Sequence, residues 1–440
     1  MSGGGSLWRR DVIGWSLYDF ANTIYSMNIV SLYLKRYIVE DLGYDDRYFD
    51  IPYAISMGLA ALLLPALGAM SDYGAKKRLF LFLFTLTCCI SVGLLAIVPP
   101  SMIALLIIFF IIANFSYEAG QPFYNALLYS VASGRQARYV SGFGVSLGYV
   151  GSIVGMILVL PLVTGEVFGF DIPGFEGGGK AAAFVPTAIM FALFALPIFL
   201  WVRERPGALS GKPRIGIAYR DVWRTIRSTR RYPGALRFLI ADYFFEDAVA
   251  TVIINIGVYC SIVLHMADGE ITAFLIISTV SAVIGSFLIG LIARRIALKP
   301  LLTAIAIIWI LCLSAFVVVD AMVTIWILGS VVGIVLGGLW TVTRPMLAEL
   351  VPEGELGRFF GLFSLSGRAA AVIGPLIWTA IVYLFHPDRL LGQWLARVMG
   401  LPEPTLELSY KLAVLSLAAM MVVGLVILRR VPRPRGDVRA

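Results

Sequence analysis

Charge is what this chain has least of. Only 14% of its 440 residues are charged, while 59% are hydrophobic. A soluble globular chain carries about 25% charged residues, and a soluble core of this size splits into domains with polar seams. A soluble protein is therefore excluded. Histidine is nearly absent: His265 and His386 are the only two, both near the ends of apolar runs, which excludes a buried histidine proton relay. The four cysteines, Cys88, Cys89, Cys260 and Cys312, fall inside apolar runs. There they read as small buried apolar groups, so neither a disulfide framework nor a metal set is expected. The sequence has no phosphate-binding glycine loop, no nucleophile–base set and no metal-ligand spacing. No enzyme, no cofactor and no ATP-driven motor are expected. The start, "MSGGGSLWRRDV", is polar and then doubly basic and runs into a long apolar stretch. No cleavable signal peptide is expected, and the first span is retained.

Long apolar runs stand in place of the missing charge. A hydrocarbon core of about 30 Å takes roughly twenty helical residues. Twelve runs meet this, at about 12–38, 51–70, 79–98, 101–128, 139–163, 181–202, 236–265, 271–292, 300–319, 322–348, 359–385 and 409–428. The expected fold class is an all-α membrane protein with twelve transmembrane helices in two pseudo-symmetric six-helix bundles. The stretch "RERPGALSGKPRIGIAYRDVWRTIRSTRRYPGALR" divides the spans six and six. The expected division is an N-terminal bundle over 1–202, a cytoplasmic linker with an amphipathic helix over 203–235, and a C-terminal bundle over 236–440.

Twenty-six of the 35 Lys and Arg residues fall on the side that holds both termini and the central linker, and seven on the other. The positive-inside rule puts the termini and the linker in the cytoplasm of a cell whose plasma membrane holds the protein. The net charge of +8 follows from that asymmetry against an anionic leaflet, without nucleic acid. Within the linker, Val222, Trp223 and Ile226 share a helical face opposite Arg220, Arg224 and Arg227. Two readings fit: a helix lying on the inner surface, or a solvated linker helix.

The chain repeats itself. "QPFYNALLYSVASGRQARYVSGFG" (121–144) and "RPMLAELVPEGELGRFFGLFS" (344–364) each run from a polar residue and proline, through a short turn with an arginine, to an aromatic and glycine-rich helix start. "GAMSDYGAKKR" (68–78) lies opposite "GLIARRIALK" (290–299) at a similar separation. Parallel halves with a site near the midplane are a transporter architecture.

Twelve spans in two halves, a basic linker and the loop "GAMSDYGAKKR" resemble the major facilitator superfamily. The loop matches on Gly68, Asp72, Gly74, Lys77 and Arg78, with the glycine-to-basic spacing one residue longer than usual. The stretches "GWSLYDFANTIYS", "PFYNALLYSVAS", "RYVSGFGVSLGYVG" and "GRFFGLFSLSGRAAAVIGP" resemble the vacuole effluxer-like branch, which includes autophagy-related vacuolar amino-acid effluxers and prokaryotic relatives. The resemblance implies secondary transport, with amino-acid efflux the best-known activity, and it casts the loop as a cytoplasmic gate. "LYDFAN" is also similar to cation-coupled sugar symporters, which keeps a sugar in view as the alternative solute. A non-transporting receptor or scaffold on this fold is the alternative of another class.

Ionisable side chains at mid-bilayer cost at least about 2.5–3.5 kcal/mol each on insertion scales. They mark partners or water-filled paths. Asp19, Asn22 and Ser26 share a face of the first span; Asn114, Glu118, Gln121 and Asn125 share a face of the fourth. Asp247, Thr251 and Asn255 form the matching face of the seventh, with Glu246 about 100° away. Arg344 and Arg368 are the basic residues inside the tenth and eleventh spans. These residues are the expected walls of a substrate and coupling cavity. Glu118 either lines that cavity or pairs with a cation such as Arg344; Arg368 either holds a substrate carboxylate or pairs with Asp247. The excess of acid fits a proton, Na⁺ or a substrate ammonium as the bound cation. The glycines of "GYVGSIVG" (148–155) and "GRAAAVIGP" (367–375) read as close helix contacts. The expected partners are a small solute, a coupling ion and the bilayer, and a monomer is expected.

Overall fold

The computed structural model describes residues 8–72, 76–132, 134–167, 170–204, 215–352 and 355–432. Nearly all of these are helical. In hydrocarbon no water satisfies the backbone, so each apolar run closes its own hydrogen bonds. A two-residue antiparallel pair, Glu166–Val167 with Phe170–Asp171, lies in a connection.

The chain forms two compact units: residues 1–44 with 55–220, and residues 45–54 with 221–440. In chain order, α1 is Arg10–Tyr25, α2 Arg47–Asp72, α3 Lys77–Leu95, α4 Ile103–Val131, α5 Gly134–Thr164, α6 Phe184–Trp201 and α7 Ile215–Ser228. Then follow α8 Pro233–Ile262, α9 Asp268–Ile292, α10 Leu298–Val318, α11 Met322–Leu350, α12 Leu356–Leu384, α13 Leu390–Val398 and α14 Leu406–Arg429. Eleven helices among the described residues are long and apolar enough to cross a membrane. The sequence predicts twelve. The remaining stretch, 12–38, is helical but not one α-helix. After α1 it widens into a π-helix, Ser26–Tyr33, makes one α turn, Leu34–Arg36, and widens again over Tyr37–Asp41. Its C-terminal end also carries Lys35 and Arg36.

In the first unit α1 lies against α5 and α6, and α3 against α4 and α6. In the second, α8 lies against α12 and α14, and α10 against α11 and α14. In these four contacts the sequence repeat is also a repeat of packing. Where α1 meets α5 the contact is made by glycine. A methyl group at Gly151 would sit 2.3 Å from the Phe20 carbonyl oxygen. With the backbones this close, Thr23 Oγ1 donates to the Gly148 carbonyl at 2.5 Å and Asn28 Nδ2 to the Gly155 carbonyl at 3.3 Å. Aromatic stacking closes the α1–α4 side: Trp15 lies on Tyr124 with centroids 4.6 Å apart, and its indole N–H donates to the Tyr124 carbonyl at 3.1 Å. Such a stacked pair adds about 0.5–1.5 kcal/mol beyond its buried area.

The first turns of α2 belong to the second unit, a division the sequence does not suggest. Asp46 and Asp50, one helical turn apart and both buried, explain it. Asp46 accepts from the Tyr410 hydroxyl at 2.5 Å and Asp50 from the Thr379 hydroxyl at 2.6 Å. On α7 the expected faces need a correction. Trp223 is 56% exposed, but Arg227 lies over its ring, 5.4 Å from the centroid, instead of opposite it. Residues four apart stack on the same helical face, so the aromatic ring holds the guanidinium.

Replacing Gly151 by alanine pushes α1 and α5 apart and is expected to cost about 1–3 kcal/mol. Gly58, with nothing within 4 Å of its would-be methyl group, is the contrast. There alanine is expected to gain about 0.5–1 kcal/mol in helix propensity. Thermal unfolding of the two purified variants in detergent checks both signs.

Candidate functional site

In the first unit the polar residues of α1 and α4 come together around one ring. Tyr117 lies against Asp19, Ser26 and Glu118. Asp19, Ser26 and Glu118 are half-buried; Asn22 is buried, and its side-chain oxygen has no hydrogen-bond partner. The stripe on α4 grades from interior to surface. Asn114 is 2% exposed, donates to Ser56 Oγ at 2.7 Å and accepts from the Tyr25 hydroxyl at 3.4 Å. Gln121 is half-buried and Asn125 exposed. Asn114 therefore ties three helices together, while the residues after it face progressively more open space.

In the second unit the polar face of α8 meets a broken helix. Pro375 has no N–H, and its ring crowds the carbonyl four residues earlier. Ala371 at that position leaves helical geometry, with ψ 24°. At this kink the Gly374 N–H donates to Asp247 Oδ1 at 2.7 Å. A methyl group at Gly374 would sit 2.1 Å from Thr251 Oγ1, so only glycine admits the contact. Asp247 is 0% exposed and its Oδ2 has no hydrogen-bond partner. Thr251 Oγ1 donates to the Asp247 carbonyl at 2.7 Å, and Asn255 Nδ2 to the Thr251 carbonyl at 2.9 Å. Arg368 donates to Ser364 Oγ at 2.9 Å on its own helix; the Asp247 carboxylate takes its hydrogen bond from Gly374, not from Arg368. Arg344 is exposed and faces Glu246, which accepts from Trp340 Nε1 at 3.2 Å.

Of the loop motif, Gly68 lies within α2 and is half-buried. Gly74 and the Asp72 side chain lie outside what is described. At the basic end, the backbone N–H groups of Lys77 and Arg78 donate to the Glu204 carboxylate at 2.7 and 3.3 Å, and Arg78 Nη1 donates to the Val202 carbonyl at 3.1 Å. Glu204, just past α6, therefore caps the N-terminus of α3, where free N–H groups and the helix dipole favour an anion.

Sequence reasoning missed Glu204, one of two acids in a basic linker, and the Asp46–Asp50 pair. Beside that pair a cavity of about 290 Å³ is lined by Asp45, Arg47, Tyr383, His386, Asp388 and Arg389, among others. Arg47 and Arg389 both lie on the Tyr383 ring, 4.0 and 4.2 Å from its centroid. Burial alone would raise the Asp45 carboxyl, but the hydrogen bonds from the Arg47 side chain and backbone hold it below its ordinary value. The signal available was the one-turn spacing of Asp46 and Asp50 beside a tyrosine-rich apolar start.

A family model described as "Vacuole effluxer Atg22 like" matches residues 48–440. The chain belongs to this family. It is 29% identical over 431 residues to the uncharacterized MFS-type transporter YxiO of Bacillus subtilis strain 168, covering 95% of this chain and 94% of that one. It is 23% identical over 436 residues to autophagy-related protein 22 of Coccidioides immitis, covering 80% of this chain and 70% of the relative. Autophagy-related protein 22-2 of Sclerotinia sclerotiorum is longer still: at 28% identity the match covers 60% of this chain but 43% of that protein. Among solved structures, a bacterial homologue of the human lysosomal transporter Spinster superposes with a TM-score of 0.77 at 14% identity, covering 96% of this chain and 97% of the other. The nucleoside transporter NupG gives 0.71 at 16% identity, covering 96% and 98%. The fold is that of the major facilitator transporters. The protein is a multi-pass membrane transporter of that type and not an enzyme.

Exchanging Glu204 for glutamine keeps the shape and removes the charge at the α3 N-terminus. The expected loss is about 1 kcal/mol, in the range of a lost helix cap. A melting curve at low ionic strength, where dipole interactions are least screened, measures it. An unchanged midpoint would mean that the cap carries no weight.

Proposed function

We propose that the protein is a secondary active transporter that moves a small polar solute, best matched by an amino acid, out across the plasma membrane by alternating access coupled to H⁺ or Na⁺. The observation that carries this reading is Asp247: one carboxylate oxygen anchored by the Gly374 N–H, the other buried with no partner, on a helix built to cross a membrane. An oxygen so placed suits a cation, either a coupling ion or the ammonium of a solute. Arg368 lies on the same broken helix as Gly374, and its guanidinium suits the carboxylate that an amino acid also carries. Efflux is supported by the family description. In the first unit, Asp19 and Glu118 around Tyr117 are the proposed coupling groups, and the Lys77–Arg78 end of the loop motif the proposed gate. Both termini and the linker are proposed to face the cytoplasm, since they hold most of the Lys and Arg.

Uptake of labelled amino acids and sugars into proteoliposomes, with and without a pH gradient, tests the reading. Saturable amino-acid flux supports it. Sugar flux alone replaces it with sugar symport, and no saturable flux of either overturns it. In the same assay Glu118→Gln is expected to abolish gradient-driven accumulation while exchange survives. Wild-type accumulation in that variant removes Glu118 from the coupling role.

A further inference from the structure

Three acids fall within six residues of α8: Asp242, Glu246 and Asp247. Asp247 belongs to the face described above. Asp242 and Glu246, one turn apart, share a different side of the helix. Asp242 is 1% exposed, and neither of its carboxyl oxygens has a hydrogen-bond partner. Glu246 differs: it is half-buried, takes the Trp340 indole N–H and faces the exposed guanidinium of Arg344.

The two environments decide where charge can sit. An ion brought into a low-dielectric interior costs several kcal/mol, and it persists there only with donors or a counter-ion. Glu246 has a donor and a cation. Asp242 has neither, and it lies within electrostatic reach of Glu246. Among the described residues of this unit, Glu246 is the charged neighbour of Asp242 on its own helix; α11 supplies Arg344, which faces Glu246; the Arg368 of α12 is bonded to Ser364; and α9 and α14 bring no charged group to Asp242. As a neutral acid, Asp242 escapes the penalty. A metal cation instead needs a cage of several oxygen ligands, and no three acid, histidine or cysteine side chains are gathered to hold one among the described residues.

We infer that Asp242 is a proton-binding site, holding a proton in this conformation, and that Glu246 beside Arg344 is the group through which that proton leaves. In release the Asp242 O–H bond breaks, the proton passes to the Glu246 carboxylate and on to water, and the Asp242 anion is left to be hydrated or reprotonated. The part this plays in coupling rests on the transport reading above; the protonation itself does not.

Infrared difference spectroscopy on the full-length protein in lipid nanodiscs, with no solute present, tests it. The wild type is expected to show the carbonyl stretch of a protonated carboxylic acid at neutral pH. Asp242→Asn, a neutral isostere, is expected to remove that band and leave the melting temperature unchanged. Aspartate labelled with ¹³C at its side-chain carboxyl is expected to shift the band in the wild-type protein, so the assignment does not depend on a variant folding. Glu246→Gln is expected to keep the band but slow its deuterium shift in D₂O severalfold. A band absent from the wild type, unmoved by the label or intact in Asp242→Asn overturns the site; wild-type deuterium exchange in Glu246→Gln overturns the exit route. Because no solute is used, a protein that moves no amino acid can still show the band, and an amino-acid carrier can still lack it.

Discussion

A carboxylate inside hydrocarbon has no water to fall back on: it finds a donor within the protein or it keeps its proton. That constraint orders the polar interior of this molecule. Asp46 and Asp50 find hydroxyls, and Asp247 finds one N–H at a helix break. Asp242 finds nothing. The acids therefore fall into graded states, from fully bonded to wholly unpartnered, although their chemistry is the same.

Glycine makes the bonded states possible. In each unit one long helix, α1 or α8, lies against a helix, α5 or α12, whose glycines bring the backbones into contact. A threonine four residues after the aspartate, Thr23 after Asp19 and Thr251 after Asp247, stands at that contact in both units. The two halves solve the contact differently. In the first, the threonine reaches a carbonyl of an intact helix; in the second, proline has broken the helix and the aspartate captures an N–H. One repeated arrangement thus gives an intact helix in one unit and a kinked one in the other.

The fold was legible because lipid imposes long apolar runs, and the repeat because each half must bury the same faces. The glycine stripe Gly148–Gly151–Gly155 was legible for the same reason. The Asp19, Glu118 and Asp247 faces could be drawn from periodicity alone. Their partners could not, because those come from residues far along the chain that carry no signal of their own: a backbone N–H at Gly374, a ring at Tyr117. Asp46 and Asp50 were lost among the acids of a connection, since periodicity says nothing of what a helix start will meet. Arg227 was misplaced by reading linker polarity as a single face, when a guanidinium four residues from a tryptophan settles on its ring.

The π-helical stretch Ser26–Tyr33 alters how the first span must be numbered as well as how it looks. Each extra residue accommodated in a helix turns everything beyond it by about 100°. A wheel drawn from Asp19 with a single period therefore points to the wrong side past Ser26, and Lys35 and Arg36 come to lie inside the protein. In alignments of this family, a single-residue gap in that stretch is a change of azimuth for everything that follows it in the span, and sequence identity on either side of it does not mean that the same residues look inward.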